Sequence, residues 1–559
     1  MGTAGLEADP RGTLPAFDIK RIAIIGAGPS GVAAAKHLLA EGFKASQIDI
    51  FEQRDEVGGV WNYTPLPPTE ILPVPQTDAF PPPDAPIFEG DDEDDDYESD
   101  DCMDSCCAPG SGACSLPSLA RVERRAVFPG PMYENLHTNI PHTLMRYSDN
   151  GFTSEKGDCE IFPPRQIVMD YLKEYARDVR HLVSFATQVV SLRLLTDQGA
   201  SAPKARIKDQ WELVSRNLLN NVQNKQIYDA VVVASGHYAT PYIPSFAGGM
   251  TEFAATHPHI ISHCKGFRSA SAFAGKKVIV VGSGPSGLDI ASQIRDVCAS
   301  PLIVSARSPV ADDMSEHLGV RDRVRLVGQI TRFLVDERGV EVQSAPGSAP
   351  GNEKSTERIT DVDAILFCTG YLYTYPFLNS KSLSPSAPPL ITDGRRVHGI
   401  ARHFIHNTHP SLVFPALPIK VIPFPLSEGQ AAVMARLWSN RLPLPSREEL
   451  ESWEREDEQG KGFEGERAGA GKAFHVFPKG GDARYINAFH EWAARATDRD
   501  GGKGKEPPFW GDEELWQRGV YAQARMLFEK GGRKAKTLEE LGLHYEPNTK
   551  TAFPDQPDM

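Results

Sequence analysis

The chain has 559 residues, enough for about three to five domain-sized units with a large core, and a formal charge of −15 from 59 Lys and Arg against 74 Asp and Glu. That balance disfavours a nucleic-acid partner, which needs clustered cations. No apolar run approaches the ~18–20 residues of a membrane span, and 8 cysteines are too few for a disulfide scaffold, so a cytoplasmic protein without a membrane partner is expected.

Residues 1–19 read as a disordered lead with no apolar signal core. The run RIAIIGAG then enters the helix-like SGVAAAKHLLAEG and the strand QIDIFE, a β-α-β unit. Composition changes over residues 65–131, which are Pro-rich and hold four cysteines, Cys102, Cys106, Cys107 and Cys114. Glu89 to Asp101 alone carries 10 acidic residues and no basic one, so the other 546 residues carry only −5. This segment reads as a disordered or loosely draped insertion, short of apolar material to offset ordering entropy. A helix is predicted over Arg165 to Arg180, and DAVVVAS, ending at Ser235, reads as a buried strand. A second β-α-β unit follows, KKVIVVGSGPSGLDIASQIRDV and PLIVSARS, and DAILFCTGY closes it. The chain therefore leaves one unit near Gly236 and returns near Gly370. The last ~190 residues mix the strand-like LVFPALPI, the helical QAAVMARLWSN and a loop at Gly460–Lys472. The expected fold class is α/β, two nested Rossmann-like dinucleotide-binding domains. Their bounds are 20–240 and 364–559 for the interrupted domain and 241–363 for the smaller one.

The chemistry rests on two glycine-rich turns. The first is Gly26-Ala27-Gly28-Pro29-Ser30-Gly31, with a strand before it, a helix after it and Glu52 ending the next strand. Gly28 lets the backbone approach a pyrophosphate, the helix start supplies the positive dipole, and a carboxylate at Glu52 accepts ribose hydroxyls. The second turn is Gly282-Ser283-Gly284-Pro285-Ser286-Gly287, and its next strand ends on Ser305 and Arg307 in place of a carboxylate. A hydroxyl and a guanidinium there suit a ribose 2′-phosphate, although a surface ion pair would equally occupy Arg307. The first site reads as FAD and the second as NADPH. The only close cysteine cluster lies among carboxylates that disfavour a thiolate, which argues against a disulfide reductase. No metal site is expected either, the H-x-H-x-x-x-H of His257, His259 and His263 reading as linker histidines.

With GAGPSG, Glu56-Val57-Gly58-Gly59-Val60-Trp61, Tyr133-Glu134-Asn135-Leu136-His137-Thr138-Asn139-Ile140-Pro141, GSGPSG, Phe367-Cys368-Thr369-Gly370-Tyr371 and IPFPLSEGQAAVMARLWS, the chain resembles the flavin-containing monooxygenases, especially the soluble fungal type. The resemblance implies that NADPH reduces FAD, that O₂ adds to give a flavin 4a-hydroperoxide, and that a nitrogen or sulfur atom of a small molecule takes one oxygen. It gives Asn139 the catalytic, flavin-side position. Val60, Trp61, Thr138, Ile140 and Val189 become cofactor contacts, and Ser286, Gly287 and Asp289 become contacts of the NADP pyrophosphate. Between the turns, His263 and Phe267 match the family signature, whereas His257 and His259 replace its Phe and Gly. The H-x-x-x-F ending favours N- or S-oxygenation. The alternatives are Baeyer–Villiger oxidation of a ketone, or a non-catalytic nucleotide-binding redox or scaffold protein. The expected partners are a small-molecule substrate and O₂, with a homodimer as the allowed oligomer.

Overall fold

Every side chain of the strand Ile22–Ile25 is buried, as a central parallel strand covered on both faces requires. A computed structural model describes residues 17–68, 72–89, 124–154, 157–195, 207, 209–246, 248–310, 318–320, 322–346, 355–378, 383, 389–459, 471–497 and 504–547. Most of the N-terminal lead, the acidic run beyond Glu89, its four cysteines and most of the Gly460–Lys472 loop lie outside the described residues.

Ile22–Ile25 pairs in parallel with Ala230–Val233 on one side and Ile48–Phe51 on the other. Val183–Ser184 extends one edge, and Leu412–Val413, Ile405–His406 and Ile400–Ala401 extend the other, giving seven strands. The two-residue period of a strand splits the core. Ile22, Ile24, Ala230 and Val232 face the helices Pro29–Ala40, Arg165–Ala176 and Pro423–Trp438. Ala23, Ile25, Val231 and Val233 face Trp211 and Leu213 of a three-stranded antiparallel sheet. This first sheet thus takes strands from both ends of the chain.

Between them sits a five-stranded parallel sheet, ordered Ile261–His263, Ala364–Phe367, Val278–Val281, Leu302–Ser305 and Val324–Val327. The segments that connect the two sheets pair with each other, Thr240 against Leu372 and Pro241 against Tyr371. Both glycine turns are built alike. Gly26 has φ of +104° and Gly282 +117°. A Cβ on either would meet the carbonyl oxygen of Ala234 or of Cys368 at 2.6 Å, so each turn lies against the end of the neighbouring strand.

The Pro-rich segment departs from the sequence expectation where it is described. Ile87–Glu89 pairs with Arg125–Val127, Gln76 bridges Ile243, and Leu72 and Val74 pack on the second domain's core. A further helix, Asp512–Lys530, has no counterpart in the sequence reading, and Ala524 and Phe528 on it bury against Ile161 and Phe162. Among the described residues no helix is long and apolar enough to cross a membrane.

Buried histidines give the fold a pH dependence. His406 Nδ1 accepts the backbone N–H groups of Thr408 at 3.3 Å and His409 at 3.0 Å, which requires the unprotonated nitrogen. Burial first, then His409 and Arg447, pushes this imidazole down to about 3. Burial pushes His237 down to about 4. In the unfolded chain histidines titrate near ~6.5, so below that pH the unfolded state binds protons the fold does not, and stability is lost as pH falls. At pH 5 the cost is roughly 2 kcal/mol per histidine. Calorimetry between pH 7.5 and pH 5 should show a falling Tm; a Tm flat across that window would contradict the neutral assignment.

Candidate functional site

A long cavity runs along the first glycine turn. Gly26, Gly28, Pro29, Ser30, Glu52, Val60, Trp61 and Val189 of the sequence-predicted residues line it together. The helix Pro29–Ala40 opens on it with Pro at its start, no side-chain cap and no acidic residue in its first turn. Its unsatisfied N–H groups and positive dipole end therefore face the cavity. Opposite, the turn at Gly59 approaches so closely that a Cβ there would lie 2.9 Å from Gly28 Cα. Backbone thus forms both walls of a cradle suited to a pyrophosphate.

Glu52 is held by two backbone donors. Its Oε2 accepts the Ala27 N–H at 2.9 Å and its Oε1 the Arg54 N–H at 2.9 Å. Each oxygen keeps a lone pair for a ribose hydroxyl. Ala27 serves through this bond and is itself fully buried, and Gly31 packs the helix on the turn, with Gly26 O at 2.0 Å from its would-be Cβ. Another part of the wall is apolar and aromatic, Trp61 meeting Phe424 edge-on at 6.3 Å.

Sequence reasoning missed two parts of this wall. Pro81, Pro82, Pro83 and Asp84 of the Pro-rich segment line the cavity beside Gln53 and Gln188. Gln188 Nε2 ties them down by donating to Asp84 O at 2.8 Å. His237, just beyond the strand Ala230–Val233, also lines it, and its Nε2 is buried without a hydrogen-bond partner. An orphaned polar atom in a cavity wall fits a site built to receive a polar ligand. A lone histidine after a buried strand has no spacing signal, although the echo of Gly236-His237-Tyr238 in Thr369-Gly370-Tyr371 marks the place.

Thr138, Asn139 and Ile140 do not line this cavity. Thr138 is buried and its hydroxyl donates to Ile140 O at 2.9 Å, Ile140 packs on the first core beside Trp61, and Asn139 is exposed.

The second turn lies apart from the cavity. Gly284 and Ser286 are exposed, Gly282 and Gly287 support the turn from beneath, and the helix Pro285–Ile294 again starts with no side-chain cap and no first-turn acid. Ser305 is turned inward, its hydroxyl donating to Gly328 O at 2.9 Å. Arg307 is exposed at the end of that strand. A second guanidinium approaches it from the returning chain: Arg395, stacked 4.0 Å over the Tyr242 ring, is held below the usual arginine range by burial first, with the Arg307 charge contributing. Two like charges at one edge suit a dianionic phosphate. Asp289 is already engaged, accepting from the Tyr133 hydroxyl, from Gln293 at 3.1 Å and from Arg525 at 3.3 Å. Arg525 belongs to the helix Asp512–Lys530, so that helix is anchored to the second turn's own helix.

The histidines between the turns do not converge. His257 Nε2 bonds Val335 O at 2.8 Å, His259 is exposed, and His263 caps the next turn by accepting the Lys265 N–H at 3.1 Å.

Residues 127–345 match the family described as Flavin-binding monooxygenase-like, and residues 24–75 match the NAD(P)-binding Rossmann-like domain. The thiol-specific monooxygenase of Saccharomyces cerevisiae is 27% identical over 505 residues, covering 89% of this chain and 90% of that protein. Flavin-containing monooxygenase iboF of Amanita muscaria is 27% identical over 518 residues, covering 87% and 90%. The structure of S-allyl-L-cysteine S-oxygenase from Allium sativum superposes with a TM-score of 0.65 at 21% identity, over 93% of this chain and 96% of that one, which shows a shared fold.

Proposed function

We propose that the chain is a flavin-containing monooxygenase, like the relatives it matches, and that it transfers one oxygen atom from O₂ to the sulfur, or secondarily the nitrogen, of a small molecule. It is a flavin-dependent monooxygenase using FAD and NADPH. When bound, FAD reduced by NADPH supplies the activated oxygen. The protein's own contribution is to bind, orient and exclude water.

In this reading the N–H groups at the start of Pro29–Ala40 and the Gly28–Gly59 cradle hold the FAD pyrophosphate, and Glu52 takes the adenosine ribose. Val189 and Pro81–Pro83 shelter that half of the cofactor from solvent. Val60, Trp61 and Phe424 form the apolar wall of the reacting half, where excluded water strengthens every polar contact and blocks proton leakage. His237 is neutral above about pH 4, so it offers a hydrogen bond without adding charge. Gly282 to Gly287 hold NADPH, with Ser286 and the helix start on its pyrophosphate and Arg307 on its 2′-phosphate.

The observation that carries the reading is one cavity lined by a bare helix start, by Glu52 and by the apolar Trp61–Phe424 pair. Sulfur is placed first because a relative matching nine-tenths of the chain bears the name thiol-specific monooxygenase. The test is a panel of thiols, thioethers, tertiary amines and cyclic ketones with NADPH and O₂, products identified by mass. Oxygenated sulfur or nitrogen products are expected; esters from the ketones with none from the nucleophiles would replace this reading with Baeyer–Villiger oxidation.

A further inference from the structure

Two cysteines that the sequence separates by about a hundred residues meet beneath the second glycine turn. The strands Ile261–His263 and Ala364–Phe367 run parallel with His263 opposite Phe367, and the next residues, Cys264 at the start of the turn Cys264–Gly266 and Cys368, pack in one hydrophobic cluster. Neighbouring strands lie about 4.7–4.9 Å apart, inside the usual Cα separation of a disulfide, about 4.4–6.8 Å. Both thiols are free, Cys264 is buried at 6% exposure, and Cys368 is partly exposed. The neighbouring Cys368 thiol holds the Cys264 thiol well below its usual range against the effect of burial. Cys264 and burial in turn push the Cys368 thiol up. One thiolate shared between two adjacent sulfurs is the arrangement that reacts with oxidants.

We propose that Cys264 and Cys368 form a reversible disulfide on exposure to a peroxide, and that this cross-link weakens NADPH binding at the turn above it. Peroxide reaches the pair from the Cys368 side. Its O–O bond breaks as one sulfur takes an oxygen and a water leaves; the neighbouring thiolate displaces that oxygen as a second water and the S–S bond forms. Two thiols lose two electrons and two protons, and hydrogen peroxide is reduced to two waters.

The consequence for the cofactor follows from how tightly the turn is seated. A Cβ on Gly282 would lie 2.6 Å from Cys368 O, and one on Gly287 would lie 3.3 Å from Cys368 Cβ. Closing the bond fixes the two sulfurs at about 2.05 Å, so Cys368 must move, and the turn resting on it must move with it. His263 Nε2 donates to Gly370 O at 3.1 Å, which ties the same two strand ends together on the far side and directs the movement toward the turn. The cross-link stands on strand register alone, while its effect rests on the reading of this turn as the NADPH site.

The experiment uses the full-length holoenzyme, treated with hydrogen peroxide or left reduced, then alkylated and peptide-mapped without reductant. A peptide linking Cys264 to Cys368 should appear and vanish with dithiothreitol. The Kd for NADP⁺ should rise about 5- to 150-fold, the usual range for coupled sites, and recover on reduction. Cys264→Ser and Cys368→Ala should each abolish the linked peptide and the peroxide-dependent change in Kd. Absence of the linked peptide in the wild-type protein overturns the proposal, and needs no variant to fold. A linked peptide with unchanged Kd overturns its regulatory half. Failure of the reduced protein to bind NADP⁺ at all would instead indict the reading of the turn.

Discussion

Gly28→Asp should yield a folded protein that purifies without its yellow colour. The residue has φ of −74°, which any amino acid adopts, and a Cβ there would meet only Gly59 Cα at 3.4 Å, an ordinary contact. Its backbone forms one wall of the cradle at the uncapped helix start, and the new carboxylate would stand where a pyrophosphate must lie. Two like charges about 4 Å apart near a protein surface repel by about 4 kcal/mol, roughly a thousandfold in affinity. The flavin-to-protein absorbance ratio should fall toward zero while far-ultraviolet circular dichroism keeps its α/β signature. Gly31→Ala is the contrasting case. Its Cβ would sit 2.0 Å from Gly26 O, so it should disrupt the turn itself and lower Tm. A flavin content for Gly28→Asp equal to wild type would remove the first turn from the FAD site.

Arg307→Ala should leave a protein that scarcely distinguishes NADPH from NADH. Arg307 is exposed at the end of Leu302–Ser305, and Arg395 approaches the same edge from a part of the chain that has already returned from the second domain. Hydrogen bonds to a charged group contribute about 1.5–3 kcal/mol, so kcat/KM for NADPH should fall roughly 10- to 150-fold, with NADH little changed. Arg395→Ala should act in the same direction, because its guanidinium is stacked on Tyr242 and already ordered. Equal losses with both nucleotides would mean that the two arginines serve structure and not the 2′-phosphate.

What the sequence discloses is what local physics controls. Ile22–Ile25 and Val278–Val281 are legible because buried parallel strands read as unbroken apolar runs, and the glycines that follow them mark backbone held against a neighbouring strand. The helix at Arg165 shows in the spacing of its apolar face, although it stops at Ala176, short of the predicted Arg180. Glu52 and Arg307 follow from their distance to each turn. Pro81–Asp84 carries no periodicity, and its place on the cavity wall comes from a hydrogen bond to Gln188, 104 residues away. Asp289 sits in a legible motif, yet its partners Tyr133 and Arg525 lie 156 and 236 residues distant. Cys264 and Cys368 become neighbours only once the strand order is known, since the last strand of the inserted sheet, Ala364–Phe367, lies between its first, Ile261–His263, and its second, Val278–Val281.

In the proposed function this cavity moves an oxygen atom from O₂ to a soft nucleophile at the expense of NADPH. Turnover under ¹⁸O₂ with a thioether substrate, whose sulfoxide keeps the transferred atom, tests it most directly. The account predicts a product carrying one ¹⁸O for each NADPH consumed, with no label taken from H₂¹⁸O in the converse experiment. NADPH consumption that yields only labelled hydrogen peroxide, across thiols, thioethers and amines alike, would contradict it.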